Sequence, residues 1–180
     1  MIHSEPLTGK TVETRRIYDG DRISLRKEVF QLGDKPAVSK EIVEHPGSVV
    51  LVPLTAKGTI LFIRQWRQPA GRIVLELPSG TREHGEGHAE TARRELREET
   101  GYAAKDFTYL GASWVAPGYS TEYTHAYLAT GLRHDPLPQD DGEDIHVTEV
   151  KIDDVPRLVK TGQLEDQMSI AAYYIAAHLF

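Results

Sequence analysis

The chain has no cysteine among its 180 residues. That one absence removes disulfides, thiolate zinc sites and cysteine nucleophiles together. A chain without disulfides is compatible with a cytoplasmic life, which is the expectation here. No apolar run approaches the roughly 18 residues that a membrane-spanning helix requires, so no membrane contact is expected. The opening residues, MIHSEPLTGK, lack a basic segment leading into an apolar one, so no secretory signal is read there. Positive charge is in short supply too: 21 Lys and Arg face 27 Asp and Glu, a net charge of −6. A general nucleic-acid binder needs a basic footprint, so no nucleic-acid partner is expected. An anionic small molecule stays admissible, because a bound metal or a local Arg cluster inverts the field. Repeats and low-complexity tracts are absent. What remains is a globular composition, 39% hydrophobic, with the length of one domain and a real core.

The densest chemistry lies in Gly80 to Tyr102, GTREHGEGHAETARRELREETGY. It reads as a loop, residues 80–87, running into a helix from about His88 to Thr100. Gly101 stands where a left-handed C-terminal cap belongs. Glu95, Glu98 and Glu99 are spaced i, i+3 and i+4 and share one helical face. Ala89, Ala92, Leu96 and Thr100 form a neighbouring stripe suited to burial. Like charges at that spacing repel, so the acidic face needs a compensating cation. Carboxylates at this density suit a hard divalent ion, Mg²⁺ or Mn²⁺. The plainer reading is a solvated acidic face with i, i+4 Arg partners, Arg94 with Glu98 and Glu90 with Arg94.

The spacing is more specific than that. Gly80, five residues, Glu86, seven residues, then Arg94-Glu95-Leu96-Arg97-Glu98-Glu99-Thr100-Gly101-Tyr102 resembles the Nudix box. Every fixed position matches; Tyr102 stands where an aliphatic residue is commoner. Chance agreement is on the order of 10⁻⁹ per starting position at ordinary residue frequencies. The resemblance implies a metal-dependent hydrolase that cuts a diphosphate linked to another moiety. It implies that Glu95, Glu99 and the Ser79 carbonyl hold the metal. Glu98 shares a metal or a bound water, and Arg94 orients a Glu, with Glu86 bonding to it across the loop. In the ADP-ribose branch the general base comes from a later loop. Glu143, in DDGEDIHV, is the first choice for that base and for a further metal contact. Asp141 is the alternative. Without the box, DDGED would read as a solvated acidic loop.

The rest of the chain reads as strands and two short helices. Thr11–Tyr18, Ile23–Leu32 and Ala37–Glu44 form a charged N-terminal sheet with few large apolar residues. It lies either on the main domain or on a second subunit. Ser48–Leu54 is a buried strand, Thr59–Arg64 its partner, and Ile73–Leu77 leads into the box. Phe107–Leu110 and Ala112–Val115 read as two short strands, Thr121–Leu128 as a third. Residues 131–144 read as a long loop. Ile145–Ile152 is a strand; a helix with Asp at its N-cap follows to about Thr161, and a second helix spans Gln163–Phe180. The expected fold class is α/β (α+β): a Nudix fold, an α/β/α sandwich with a central mixed sheet, preceded by a small antiparallel sheet. Residues 1–45 are expected as the N-terminal sheet subdomain and 46–180 as the Nudix domain.

Three features outside the box are similar to ADP-ribose pyrophosphatases. Glu76-Leu77-Pro78-Ser79-Gly80 resembles the sequence entering the box in that subfamily. Pro117 falls sixteen residues after Gly101, the subfamily's marker spacing, within Pro117-Gly118-Tyr119-Ser120-Thr121-Glu122. Arg64-Gln65-Trp66-Arg67 resembles its substrate-binding strand. Arg67 would fork onto a phosphate, and Glu122 would accept from ribose hydroxyls. Trp66 either stacks on a base or fills core, core being the expected role. Glu76, Thr81, Ala116, Pro117 and Gly118 complete the substrate-binding candidates. Family members dimerise, with the N-terminal sheet of one subunit completing the other's adenine site. Arg26 and Glu28, two apart on a strand, share a face for that purpose; otherwise they are a solvated pair. The expected activity is hydrolysis of ADP-ribose to AMP and ribose 5-phosphate by a homodimer. The alternatives are another nucleotide sugar, such as GDP-mannose, or a non-catalytic ADP-ribose sensor. Sensors usually lose box carboxylates, and this chain keeps them.

Overall fold

A computed structural model describes residues 8–139, 142 and 144–180. Two compact units divide the chain: Met1–Pro46 with Ala116–Glu122, and Gly47–Val115 with Tyr123–Phe180.

In the first unit, β1 (Gly9–Asp19), β2 (Ser24–Leu32) and β3 (Val38–Glu44) form an antiparallel sheet in chain order. β1 is exposed along its whole length, as a stretch with so few large apolar side chains dictates. The segment at residues 116–122 joins this unit by pairing with β3. The Val43 N–H donates to the Tyr119 carbonyl at 2.8 Å, and the Thr121 N–H donates to the Val43 carbonyl at 2.9 Å. Residues 116–120 form a turn through Pro117-Gly118, closed by the Ser120 N–H on the Ala116 carbonyl at 2.8 Å.

The second unit runs β4 (Ser48–Pro53), β5 (Thr59–Arg67), β6 (Arg72–Glu76), β7 (Ser79–Thr81), α1 (His88–Thr100), β8 (Tyr102–Ala103), β9 (Asp106–Trp114), β10 (Tyr123–Thr130), β11 (Arg133–His134), β12 (Ile145–Lys151), α2 (Val155–Lys160) and α3 (Gln167–Ala176). A mixed sheet has the order β7-β4-β10-β9, with β4 and β10 parallel and both outer pairings antiparallel. A second sheet, β12-β5-β6, is antiparallel. The expected layered arrangement around a mixed sheet is therefore present.

Strand alternation explains the layers. β4 sends Val49 and Leu51 into a cluster with Ala92 and Leu96 of α1. It sends Val50 and Val52 into a second cluster with Ala172, Tyr173 and Ala176 of α3. β10 divides the same way, Tyr127 and Ala129 against Ala126 and Leu128. Each buried Val or Leu among them contributes about 1.5–3 kcal/mol by leaving water. Both faces of β4 are covered, which is why SVVLVP reads as an unbroken apolar run. Its one hydroxyl, on Ser48, hydrogen-bonds the hydroxyl of Thr124, its ladder partner on β10.

Several boundaries differ from expectation. Ser79–Thr81, expected as loop, pairs with β4 as the edge strand β7. The two short strands expected after α1 are one, β9. Gly111 sits at φ +136, and the register skips Leu110 between Gly111–Ala126 and Tyr109–Tyr127. A bulge of this kind looks like a break in sequence. The expected long loop at residues 131–144 contains β11, which pairs with β8. A 3₁₀ turn, Ile152–Asp154, precedes α2, and the Asp154 side chain makes no cap bond. It accepts from Arg157 at 3.4 Å instead. α3 starts at Gln167, not Gln163, because Asp166 caps it by accepting the Ser169 N–H at 2.8 Å. Among the described residues, no helix is long and apolar enough to cross a membrane.

Candidate active site

β6 ends at Glu76, and the chain turns through Leu77-Pro78 into β7, which leads to α1. α1 and its Gly101 cap fall as the sequence predicts, with Gly101 at φ +77. Glu90 accepts the Gly87 N–H at 2.9 Å, so it caps the helix rather than pairing with Arg94.

Gly80 has a steric reason. A Cβ there would lie 1.8 Å from Glu95 Oε1 and 1.9 Å from Glu95 Cδ. The carboxylate of Glu95 occupies the space a side chain would take. One residue earlier, the Ser79 N–H donates to Glu99 Oε2 at 2.7 Å. β7 is therefore a rail against which two carboxylates of α1 are seated. Both are buried, Glu95 at 8% exposure and Glu99 at 4%.

Arg94 is the centre of the site, and its five N–H donors reach five acceptor contacts. Nε and one terminal nitrogen fork onto Glu86, both at 3.0 Å. That nitrogen also reaches the Thr81 carbonyl at 3.1 Å. The other terminal nitrogen bonds Glu95 Oε1 at 2.7 Å and Glu98 Oε2 at 2.8 Å. The expected Glu86–Arg94 and Arg94–Glu98 contacts are both there. So is a tie to Glu95. Arg94 holds the Glu86 carboxyl well down, at about 2; the Glu83 N–H and the Thr91 hydroxyl help, while burial opposes them. In return the bonds to Glu86, and then the charges of Glu95 and Glu98, push the Arg94 guanidinium above its usual range. Thr81, expected to meet substrate, thus has its carbonyl committed to Arg94.

Among the described residues no three His, Asp or Glu side chains already form a metal cage. The donor set nonetheless fits a hard cation. It consists of carboxylate oxygens on one helix face, and Gly80 leaves room for them beside the Ser79 backbone. Oxygen-only sets of this kind suit Mg²⁺-type ions.

On β5, Arg67 forks onto Glu76 with bonds of 3.0, 3.0 and 2.5 Å. Glu76 is buried beneath it. Burial works against the Arg67 charge, and the Glu76 bonds, with Glu99 and Asp166 nearby, raise its pKa overall. These bonds use Nε and one terminal nitrogen, leaving the other terminal nitrogen turned from Glu76. Trp66 corrects an expectation: it is 52% exposed, not core. It faces the side of β5 that carries Ile60 and Phe62. Ile60 and Phe62 belong to the cluster against which Leu158 and Val159 of α2 pack, and Trp66 does not. Gln65 is buried, and its Oε1 finds no hydrogen-bond partner among the described residues.

The remaining candidates lie elsewhere in the chain. Arg26 donates to Glu28 at 2.8 Å and also bonds Glu44, so the pair is a half-buried network in the first unit rather than a solvated couple. Ala116, Pro117 and Gly118 form the turn described above, and the Glu122 N–H donates to Ser120 Oγ at 3.1 Å. Asp141 and Glu143, the candidates for the base, lie outside the described residues.

A ring cluster at the start of α1 escaped the sequence. The His88 and His125 rings stack at 4.0 Å and 8°. Tyr127 hydrogen-bonds His88, and Tyr109 bonds His125 at 3.2 Å. Burial, then His88 and Arg82, lower the His125 pKa. His88 and His125 are far apart in the chain, and only β10's register beside α1 joins them.

The family model of the NUDIX domain matches residues 44–173. An ADP-ribose pyrophosphatase of Bacillus subtilis (strain 168) is 37% identical, over 89% of this chain and 88% of that one. An ADP-ribose pyrophosphatase of Mycobacterium tuberculosis is 34% identical, over 94% of this chain and 83% of that one. A solved structure described as an ADP compounds hydrolase superposes with a TM-score of 0.85 at 19% identity, covering 98% of this chain and 96% of that one.

Proposed function

We infer, from the premise that this chain belongs to the NUDIX family, that it hydrolyses the diphosphate of ADP-ribose to AMP and ribose 5-phosphate. The observation that carries the chemistry is the seating of two buried carboxylates, Glu95 and Glu99, against Gly80 and Ser79 beside the Arg94 hub. The substrate rests on the two ADP-ribose pyrophosphatases, which this chain resembles along nearly its whole length.

Glu95, Glu99 and the Ser79 carbonyl are the groups assigned to a divalent ion, Mg²⁺ first and Mn²⁺ second. In an extended strand a residue turns its N–H and its C=O to the same edge, so the Ser79 carbonyl follows its N–H toward Glu99. When bound, such an ion neutralises phosphate charge and makes water a better nucleophile. Arg94 keeps Glu95 and Glu98 oriented and does not touch substrate. Glu98 takes a share of the bound water. Arg67, its fork held by Glu76, offers the nitrogen turned from Glu76 to a phosphate as a charged donor. Glu143 removes the proton from the attacking water, with Asp141 as the alternative base. In this reading Glu122 accepts from ribose hydroxyls, and Ala116, Pro117 and Gly118 also meet the substrate. The N-terminal sheet serves a cytoplasmic homodimer, with Arg26 and Glu28 directed at the second copy's nucleotide.

The test is a panel of ADP-ribose and nucleotide sugars, GDP-mannose among them, with Mg²⁺, reading release of the nucleoside monophosphate, AMP or GMP, and of the sugar phosphate. ADP-ribose should give AMP and ribose 5-phosphate in equal amounts. Turnover of GDP-mannose with none of ADP-ribose would refute the substrate. Binding of ADP-ribose without turnover would make the chain a sensor.

A further inference from the structure

Leu77-Pro78-Ser79 carries the chain from β6 into β7, and three different elements hold its backbone. The Leu77 N–H donates to Ser169 Oγ of α3 at 2.7 Å. Pro78 has no N–H, and its carbonyl accepts from the Leu51 N–H of β4 at 2.8 Å. The Ser79 N–H donates to Glu99 Oε2 of α1 at 2.7 Å. Ser169 is fully buried. Its hydroxyl has one proton, and this goes to Asp166 Oδ2 at 2.6 Å. The oxygen is thereby aimed at Leu77 as an acceptor. The same Asp166 oxygen caps α3 through the Ser169 N–H. The cap is complete without a hydroxyl at position 169, so helix formation does not explain the Ser.

We propose that the Asp166–Ser169 pair is a positioning device for the carboxylate site, acting from the opposite face of the sheet. Asp166 orients the hydroxyl, the hydroxyl fixes Leu77, and Leu77 fixes the N–H that orients Glu99. Few soft torsions lie between the two amides. Proline locks its own φ near −65°, and a residue before proline is confined to extended conformations. A displacement at Leu77 is therefore passed on to Ser79 rather than absorbed. Both residues act through others and meet no reacting atom. The role rests on the reading of Glu99 as a metal-holding group.

The test is amide hydrogen exchange by NMR on the metal-free protein, with Ser169→Ala. Leu77 and Ser79 should both exchange at least about tenfold faster, while Leu128 in β10 keeps its rate. Faster exchange at Leu77 alone overturns the proposal, because the hydroxyl then satisfies one amide and positions nothing. Asp166→Asn retains a capping oxygen but weakens the aim of the hydroxyl. It should shift the same two amides by less, and it carries the comparison if Ser169→Ala does not fold. In steady state, Ser169→Ala should lower kcat by about ten- to a hundredfold with KM nearly unchanged, as a displaced catalytic group does. Ala172→Gly weakens α3 by helix propensity and by the loss of one buried methyl, and leaves the Asp166, Ser169 and Leu77 bonding groups in place. If it lowers kcat as much at a matched loss of melting temperature, the effect is only structural and the proposal fails. Exchange is read without metal or substrate, so a wild-type protein that leaves ADP-ribose intact defeats the functional reading and not this one.

Discussion

Gly80→Ala is the sharpest perturbation the site offers. The backbone of Gly80 is not left-handed, so the variant meets no conformational penalty there. Its cost is steric. The new Cβ would stand 1.8 Å from Glu95 Oε1. Ordinary contact begins near 3.4 Å, so the carboxylate must retreat by the difference of 3.4 and 1.8, 1.6 Å. That retreat breaks its 2.7 Å bond to Arg94. A bond to a charged group contributes roughly 1.5–3 kcal/mol, and α1 holds by its other contacts, so the protein should stay folded with a melting temperature a few degrees lower. Activity should fall further than stability. A misplacement of about 1 Å costs on the order of a hundredfold, and this one exceeds it. The assay is AMP release at saturating metal, alongside a thermal melt. The double variant Gly80→Ala/Glu95→Asp shortens the displaced side chain and should recover part of the rate. A kcat for Gly80→Ala within threefold of wild type would refute the idea that Glu95 is seated there for catalysis.

Four further outcomes are expected. Glu99→Gln should lose metal-dependent activity by orders of magnitude while its circular dichroism is unchanged; unaltered activity sinks the metal assignment. Arg67→Lys replaces a fork with a point charge, so it should raise KM for ADP-ribose by about tenfold or more; an unchanged KM removes Arg67 from the phosphate. Glu86 has a folded pKa of about 2 against an ordinary 4.5. A depressed carboxylate stabilises the fold above its unfolded value, and that contribution fades as pH falls from about 4.5 to about 2. Urea unfolding of wild type and Arg94→Met should therefore differ most near neutral pH and converge toward pH 2; a gap independent of pH contradicts the pairing. Finally, Glu143→Gln should slow turnover without abolishing metal binding, measured by isothermal titration; a larger loss of rate in Asp141→Asn transfers the base to Asp141.

The parts of the molecule written locally could be read from sequence. α1 was legible because its face pattern and the Gly101 cap are local. The Arg94–Glu98 bond was legible from i, i+4 spacing, and the Glu86–Arg94 bond from the resemblance of the box. β4 was legible as an apolar run. What failed depends on distant neighbours. Gly80 looked like a loop opener, and its reason is a carboxylate fifteen positions on, brought back by β7. β7 itself has three residues, too few to show a period. Gly111 was read as the end of a strand because a bulge and a break use the same residue. Trp66 was assigned to core because its composition says so, whereas it stands past the continuously buried stretch Ile60–Ile63 of β5. Nothing in the sequence marks Ser169, one Ser in an Ala-rich helix, as the partner of Leu77.

The double-sided burial of β4 has a consequence for strand alignment. Where one face of a strand is wet, a slip by one residue turns apolar side chains to water, and solvent enforces the alignment. β4 has no wet face, and a slip would exchange Val for Leu between two equally dry clusters. Polarity cannot tell these alignments apart. The discrimination falls to the ends: the buried hydroxyl of Ser48 meets Thr124 in only one alignment, and the Leu54 N–H meets the Ala129 carbonyl at 2.9 Å in the same one. The two hydroxyls act as a key, contributing little to how tightly the sheet holds and much to which sheet it is.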